Sequence, residues 1–383
     1  MITGASKWHV LFGVVLGLAT SMGLLAVDHG SVGKVPQPSG PLLSDCDGTL
    51  RQLVIHYTPE AADIVVPTYR AFLRQLPADV AVKVVCPDRQ IYDDLLARIG
   101  ATDCRLSPVL VGHPITAWSR DRWLALGACG GQSTELLCPR SEDGAAVWPA
   151  REGDERVAGD LASALGSAVG SRRSDLYFDG GDFAADSETA FVRPAVLFRN
   201  LQRTVETREE LLDRLATMLK RRIVLLEQAP DHHVAMYMMP IGNRTVLVGD
   251  PGLAKRLLAA SPANNAVDSY LPGGPDFLEA TAARFDAVAK QCQAAGYRVV
   301  RIPVAPGVDG RTYITYVNSI LDQRDGHRIV YMPTFSPADA LNRAAAAVWE
   351  GMGYEVRPVD CTATSRNFGA LHCLVNVLHR DGM

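Results

Sequence analysis

The sequence predicts an α/β fold, a five-bladed α/β propeller of ββαβ repeats with pseudo-fivefold symmetry. Three observations lead there. Four segments share one hairpin plan: an apolar run, a polar or glycine-rich turn, a second apolar run, and a proline. Most of these hairpins are followed by an amphipathic helix and a short strand. The two ends of the chain carry the pieces of a fifth unit. Such a unit cannot bury its apolar face alone, so stacking or circular closure is required. An ordinary α/β sheet is the competing arrangement.

The hairpins are "RWLALGACGGQSTELLCP", "DFAADSETAFVRP", "VAMYMMPIGNRTVLVGDP" and "YVNSILDQRDGHRIVYMP". The last three turn on "DSET", "GN" and "RDG", and each hairpin closes on a proline, which cannot donate to a ladder. In "REELLDRLATMLKRR", Leu211, Leu212, Leu215, Met218 and Leu219 share one helical face. "GPDFLEATAARFDAVAKQCQAAG" and "SPADALNRAAAAVWEGMG" follow the same pattern. Ser336 suits an N-cap and Pro337 the first turn. The strands that follow are "RIVLLEQ", "YRVVRIPV" and "YEVRPVD". "LHCLVNVL" opens the fifth unit, and the segment from Leu50 to Pro87 supplies its helix and strand. The stretch from about Gly127 to Arg173 reads as an inserted loop and a helix, "DERVAGDLASALGSAV".

The 383 residues, 48% of them hydrophobic, suffice for a sizeable core, and the net charge of −4 without a basic block argues against nucleic acid as partner. Residues 1–27 combine Lys7 with an apolar run from about Val10 to Val27 and no acidic residue before Asp28. This pattern reads as a signal sequence or an uncleaved membrane anchor, hence an exported or membrane-anchored protein. Residues 28–45 read as a linker, and residues 46–383 as the folded domain. Eight cysteines contain no C-x-x-C pair, so zinc and thioredoxin-type readings are weak. In an exported protein some of them pair, Cys129 with Cys138 being the best local candidates.

The head of each hairpin carries a polar residue: Asp121 in "AWSRDRW", Asp179 in "YFDGGDF", His233 in "PDHHVAMY", Asn318 in "TYVNSI" and Cys373 in "GALHC". In a closed ring, equivalent positions converge on the axis. A cysteine nucleophile needs a cationic or histidine neighbour, histidine can protonate a leaving group and activate water, and paired carboxylates can clamp a planar guanidinium. Each residue alone has a bland reading as a turn, cap or buried residue. The adjacent His372 is not the expected base, because neighbours on a strand face opposite ways. Gly369 is expected to leave room for the backbone beside the substrate.

In this order, "AWSRDRW", "FDGGDF", "HHVAMYM", "YVNSI…YMPTF" and "FGALHC" resemble the guanidino-group-modifying (pentein) superfamily, from about Cys46 to the C-terminus. The resemblance is greatest to agmatine and peptidylarginine deiminases, while "FDGGDF" is also similar to the amidinotransferases. It implies Cys373 as nucleophile, His233 as general acid and base, and Asp179 as the orienting carboxylate. Asp121, Trp118, Asp182 and Asn318 are the expected substrate contacts. The substrate is a small guanidino compound or an arginine side chain, with no metal or organic cofactor. The family's H-x-D motif is "HVA" here, with Ala235 in place of aspartate. That removes one charge-assisted contact, worth roughly 1.5–3 kcal/mol, which Asp182 or Asp231 could replace.

Other readings stay open. An amidinotransferase would pass the amidino group to an amine instead of water. A non-catalytic binding module of the same fold is favoured by Ala235. The Asp-His-His run of "APDHHVAM" suits a metal-dependent phosphoesterase only with further aspartates. A papain-like protease requires a different residue order.

Overall fold

The computed structural model describes residues 40–127, 134–142, 149–260 and 264–382. Residues 1–27, most of the expected linker, and Cys129 lie outside them. Among the described residues, no helix is long and apolar enough to cross a membrane.

The described residues form five sheets. Strand β1 (Thr49–His56) is followed by α1 (Ala62–Leu73), β2 (Ala81–Cys86), α2 (Arg89–Ile99) and β3 (Arg105–Leu110). Next come β4 (Leu124–Leu126), β5 (Thr134–Cys138), α3 (Pro149–Asp154), α4 (Val157–Leu165) and β6 (Val169–Arg173). The third group is β7 (Phe183–Ala185), β8 (Thr189–Val192), α5 (Pro194–Asn200), α6 (Arg208–Leu219) and β9 (Arg222–Leu225). Then follow β10 (Met238–Pro240), β11 (Thr245–Asp250), α7 (Pro251–Ala259), α8 (Asn264–Tyr270), α9 (Glu279–Ala294), β12 (Arg298–Pro306) and β13 (Tyr313–Thr315). The last are β14 (Ile320–Arg324), β15 (His327–Thr334), α10 (Asp339–Gly351), β16 (Tyr354–Asp360), α11 (Thr362–Ser365), α12 (Leu371–Leu374) and β17 (Val375–Asp381).

Every sheet repeats one pattern. An antiparallel pair is followed, after one or more helices, by a strand parallel to its second member: β4-β5-β6, β7-β8-β9, β10-β11-β12 and β14-β15-β16. The fifth sheet, β17-β1-β2-β3, joins the end of the chain to its beginning: β17 runs antiparallel to β1, and β1 parallel to β2. The "RDG" turn is a two-residue hairpin in which Asp325 and Gly326 both adopt positive φ (51° and 79°), as the strand twist demands.

Several expectations are corrected. Helix α10 begins at Asp339, not at Ser336–Pro337, because Asn342 bonds both backbone groups of Phe335 and holds the preceding segment outside the helix. "LHCL" is a single helical turn, and the last strand starts only at Val375. The domain begins before Cys46. Leu42 and Leu43 are buried and donate backbone bonds to Leu219 and Ala125, while buried Asp45 meets His372 Nε2 at 3.1 Å and an Arg120 nitrogen at 3.3 Å. Among the described residues, seven cysteines, Cys138 included, carry buried free thiols. The Cys129–Cys138 pair falls outside the described residues at Cys129.

Asp45 is the buried anion that holds both an arginine and a histidine. Asp45→Ala leaves Arg120 without that partner. It should lower stability by about 3–5 kcal/mol, read as a fall in the urea midpoint at constant slope.

Candidate functional site

The bends that precede the first strand of each sheet bring their polar residues together. Cys373, His233, Asp121 and Trp118 line one cavity of about 400 Å³, joined by Arg151 and Phe368. Two glycines make this approach possible. A Cβ on Gly181 would lie 2.4 Å from His233 Nδ1, and one on Gly369 would lie 2.4 Å from Trp118 Cζ3 and 3.1 Å from Cys373 Cβ. Gly369 thus leaves room for the indole beside the thiol, where open backbone was expected.

Cys373 sits on the turn α12, 3% exposed. Asn318 is fully buried behind it and donates to Cys373 Sγ at 3.3 Å, while its Oδ1 accepts from His372 N at 2.8 Å. Asn318 does not line the cavity; it aims the sulfur. His372 points away into its bond with Asp45. Burial disfavours a charged His233, yet hydrogen bonding to Cys373, then the charges of Asp121, Cys373 and Asp182, outweigh burial and raise its pKa to about 9. These neighbours favour the charged form of His233. His232 accepts a bond from His233 N at 2.7 Å; burial, then the charge of His233, pushes its pKa down to about 3.

Around these residues lies a lattice of acids and arginines. Arg151, on α3, places Nη1 2.8 Å from Asp121 Oδ2 and Nη2 2.6 Å from Asp179 Oδ1. Asp179 also meets Arg122 and Arg199, each at 3.0 Å. Burial disfavours its ionised form, but Arg151, Arg199, His233 and Arg122 hold its carboxyl well below the usual range. Burial pushes Asp121 the other way, and Arg151 only partly offsets it. Asp182 is fully buried and lies behind the cavity, bonded to Asp179 N at 2.8 Å and to Arg193 at 3.1 Å. Burial and the charge of Asp179 raise its pKa. Asp231 pairs with Arg284 at 3.0 Å on the surface, and Ala235 is buried, so neither supplies the carboxylate missing from "HVA".

Asp179, Asp182 and His233 bring potential metal ligands within 4.8 Å of one another. Both carboxylates are already ion-paired to arginines, which compete with a cation for the same oxygens.

Arg151, Arg122 and Arg199 were not singled out by sequence reasoning. Arg122 follows Asp121 directly, but Arg151 lies in the inserted segment and Arg199 on α5, with no motif to mark them. Their role becomes visible only through the carboxylates they hold.

A search of curated proteins returned no match. Among solved structures, the chain is similar to the agmatine deiminase of C. jejuni, at 13% identity over 88% of this chain and 95% of that one, with a TM-score of 0.66. It is also similar to a cysteine-to-serine variant of that protein with substrate bound (12%, 88%, 95%, TM-score 0.65). The agmatine deiminase of Enterococcus faecalis gives 15% identity, 89% and 96% coverage, and a TM-score of 0.64. At these identities the likeness establishes the fold. The family model of the Porphyromonas-type peptidyl-arginine deiminases matches residues 56–377. The chain therefore belongs to the Porphyromonas-type peptidyl-arginine deiminase family, a family of deiminase-type hydrolases of C–N bonds in amidines.

Proposed function

We propose that the protein hydrolyses a guanidinium through a covalent adduct on Cys373. The observation that carries this reading is Arg151: Asp121 and Asp179 already grip one planar guanidinium, in hydrogen-bonding geometry, at the cavity lined by Cys373 and His233. A substrate guanidinium takes that place when the Arg151 side chain swings away. Cys373 attacks the guanidine carbon as a thiolate, with the protonated His233 as its cationic neighbour. His233 gives its proton to the departing nitrogen, which leaves as ammonia. The neutral imidazole then takes a proton from water, whose oxygen attacks the same carbon. The hydroxyl of the adduct gives its remaining proton to solvent as the C–S bond breaks, leaving a ureido product and the starting thiolate–imidazolium pair.

We further propose that the five sheets close as blades of one five-bladed propeller with pseudo-fivefold symmetry. The recurrence of one strand order and the β17–β1 pairing support it. An experimental structure whose sheets share no common axis would overturn it. The apolar run of residues 1–27 supports export or membrane anchoring. Recovery of the native protein from the cytosolic fraction alone would reject that part.

Incubation with 2-chloroacetamidine, a small guanidine mimic, should label Cys373 alone by mass spectrometry, and His233→Ala should abolish the labelling. Arg151→Ala frees Asp121 for the mimic and should speed labelling roughly tenfold, the worth of one charge-assisted contact. Labelling of other cysteines with Cys373 untouched would sink the mechanism.

Cys373→Ala removes the largest influence that raises the pKa of His233, so NMR titration of the variant should show this imidazole titrating below about 9. The sign for stability follows. A histidine whose pKa rises on folding, here from 6.5 to about 9, contributes stability fully below about 6.5 and loses it as pH rises through about 9. The urea-midpoint advantage of the wild type over Cys373→Ala should shrink across that window.

A further inference from the structure

We propose that an apolar chamber beside the candidate active site binds the body of the substrate. The preferred guanidinium is then an arginine side chain whose neighbouring residue is apolar and brings no free carboxylate. This deepens the deiminase reading and rests on it.

The chamber holds about 850 Å³ and shares Thr116, Trp118, Asn367 and Phe368 with the smaller cavity, so one continuous wall runs from the thiol into it. Its floor is aliphatic: Ile64 and Val65 from α1, Ile91 from α2, and Ile115. Among the described lining residues there is no lysine or arginine, whereas the exposed Glu60 and Asp88 carry negative charge. A substrate carboxylate would be repelled there, and an uncharged apolar group accepted. A compact guanidine held at Cys373 would leave this space unfilled, although its size is typical of pockets that enclose a larger ligand. Thr58 and Asn367 add polar side chains to the wall, which suit the backbone of a peptide better than a bare alkyl chain.

A second observation marks the junction. Phe368 lines both cavities, is 46% exposed and has φ +72°, a left-handed conformation that bulky residues rarely adopt. Such strain persists only where the surroundings impose it, and it concentrates at ligand-contacting positions. Phe368 thus presents an aromatic edge where the chain of a substrate would pass from one cavity into the other.

The test measures ureido product formed by the full-length protein from two peptide pairs, acetyl-Leu-Arg-amide against acetyl-Gly-Arg-amide and acetyl-Arg-Leu-amide against acetyl-Arg-Gly-amide. Agmatine serves as the reference. In at least one pair, leucine should raise kcat/KM roughly tenfold or more over glycine, the gain from taking a leucine side chain out of water. Ile91→Asp should remove most of that preference while leaving kcat/KM for agmatine unchanged; Ile64→Asp serves if the first variant does not fold. Leucine and glycine equal within about twofold in both pairs, with agmatine hydrolysed, would overturn the proposal. So would octylguanidine outperforming every peptide, or a leucine preference that survives both substitutions. If no compound yields ureido product and 2-chloroacetamidine leaves Cys373 unlabelled, the deiminase mechanism itself fails and takes this proposal with it.

Discussion

The antiparallel ladder between the first and last strands is the constraint on which the site depends. It pairs Ile55 with Val375 and Thr49 with Asp381, so residues more than three hundred positions apart in sequence share one sheet. Cys373 lies two residues before that ladder, and its position is fixed from both sides. Ser119 Oγ contacts the carbonyls of both Val54 (3.2 Å) and Leu374 (2.8 Å), tying the turn that carries Cys373 to the segment that carries Trp118 and Asp121. Asp45, just upstream of β1, holds His372 away from the cavity. The two histidines nearest the thiol in sequence and in space are thereby given opposite fates. His372 is tethered in the core, while His233 lines the cavity with Cys373.

Electrostatic balance is the second determinant. A cluster of buried carboxylates is costly unless each finds cations within hydrogen-bond reach. Here Asp179 is shared by three arginines that hold its pKa down, while Asp121, with Arg151 as its ion-pair partner among the described residues, has its pKa raised by burial. Asp179 is thus held by several cations and Asp121 by one among the described residues. Ala235, which stands where the H-x-D motif has its aspartate, is buried and adds no charge to this network.

Much of this was legible along the chain. The hairpin plan, the helices at Arg208–Leu219 and Glu279–Ala294, and the fifth sheet assembled from both ends all follow from periodicity and turn chemistry, which are local. Phase within the repeat also singled out Asp121, His233 and Cys373, three residues that line the same cavity. The boundaries were less legible. The start of α10 depends on the Asn342 side chain, and the domain edge depends on a hydrogen bond between Asp45 and His372 at the far end of the chain.

Sequence by itself determined the alternation of elements, the residue types available for chemistry and their order, because each of these is written within a few residues. Only the tertiary structure decided which of them face the cavity. Asn318 and Asp182, expected to touch substrate, stand behind Cys373 and Asp179. Arg151, unmarked by any motif, holds Asp121, expected to anchor substrate, and Asp179, expected to orient the reacting groups. The reason is physical: a side chain's direction and charge partner depend on what long-range packing brings against it, and no local pattern encodes a partner that arrives from another sheet.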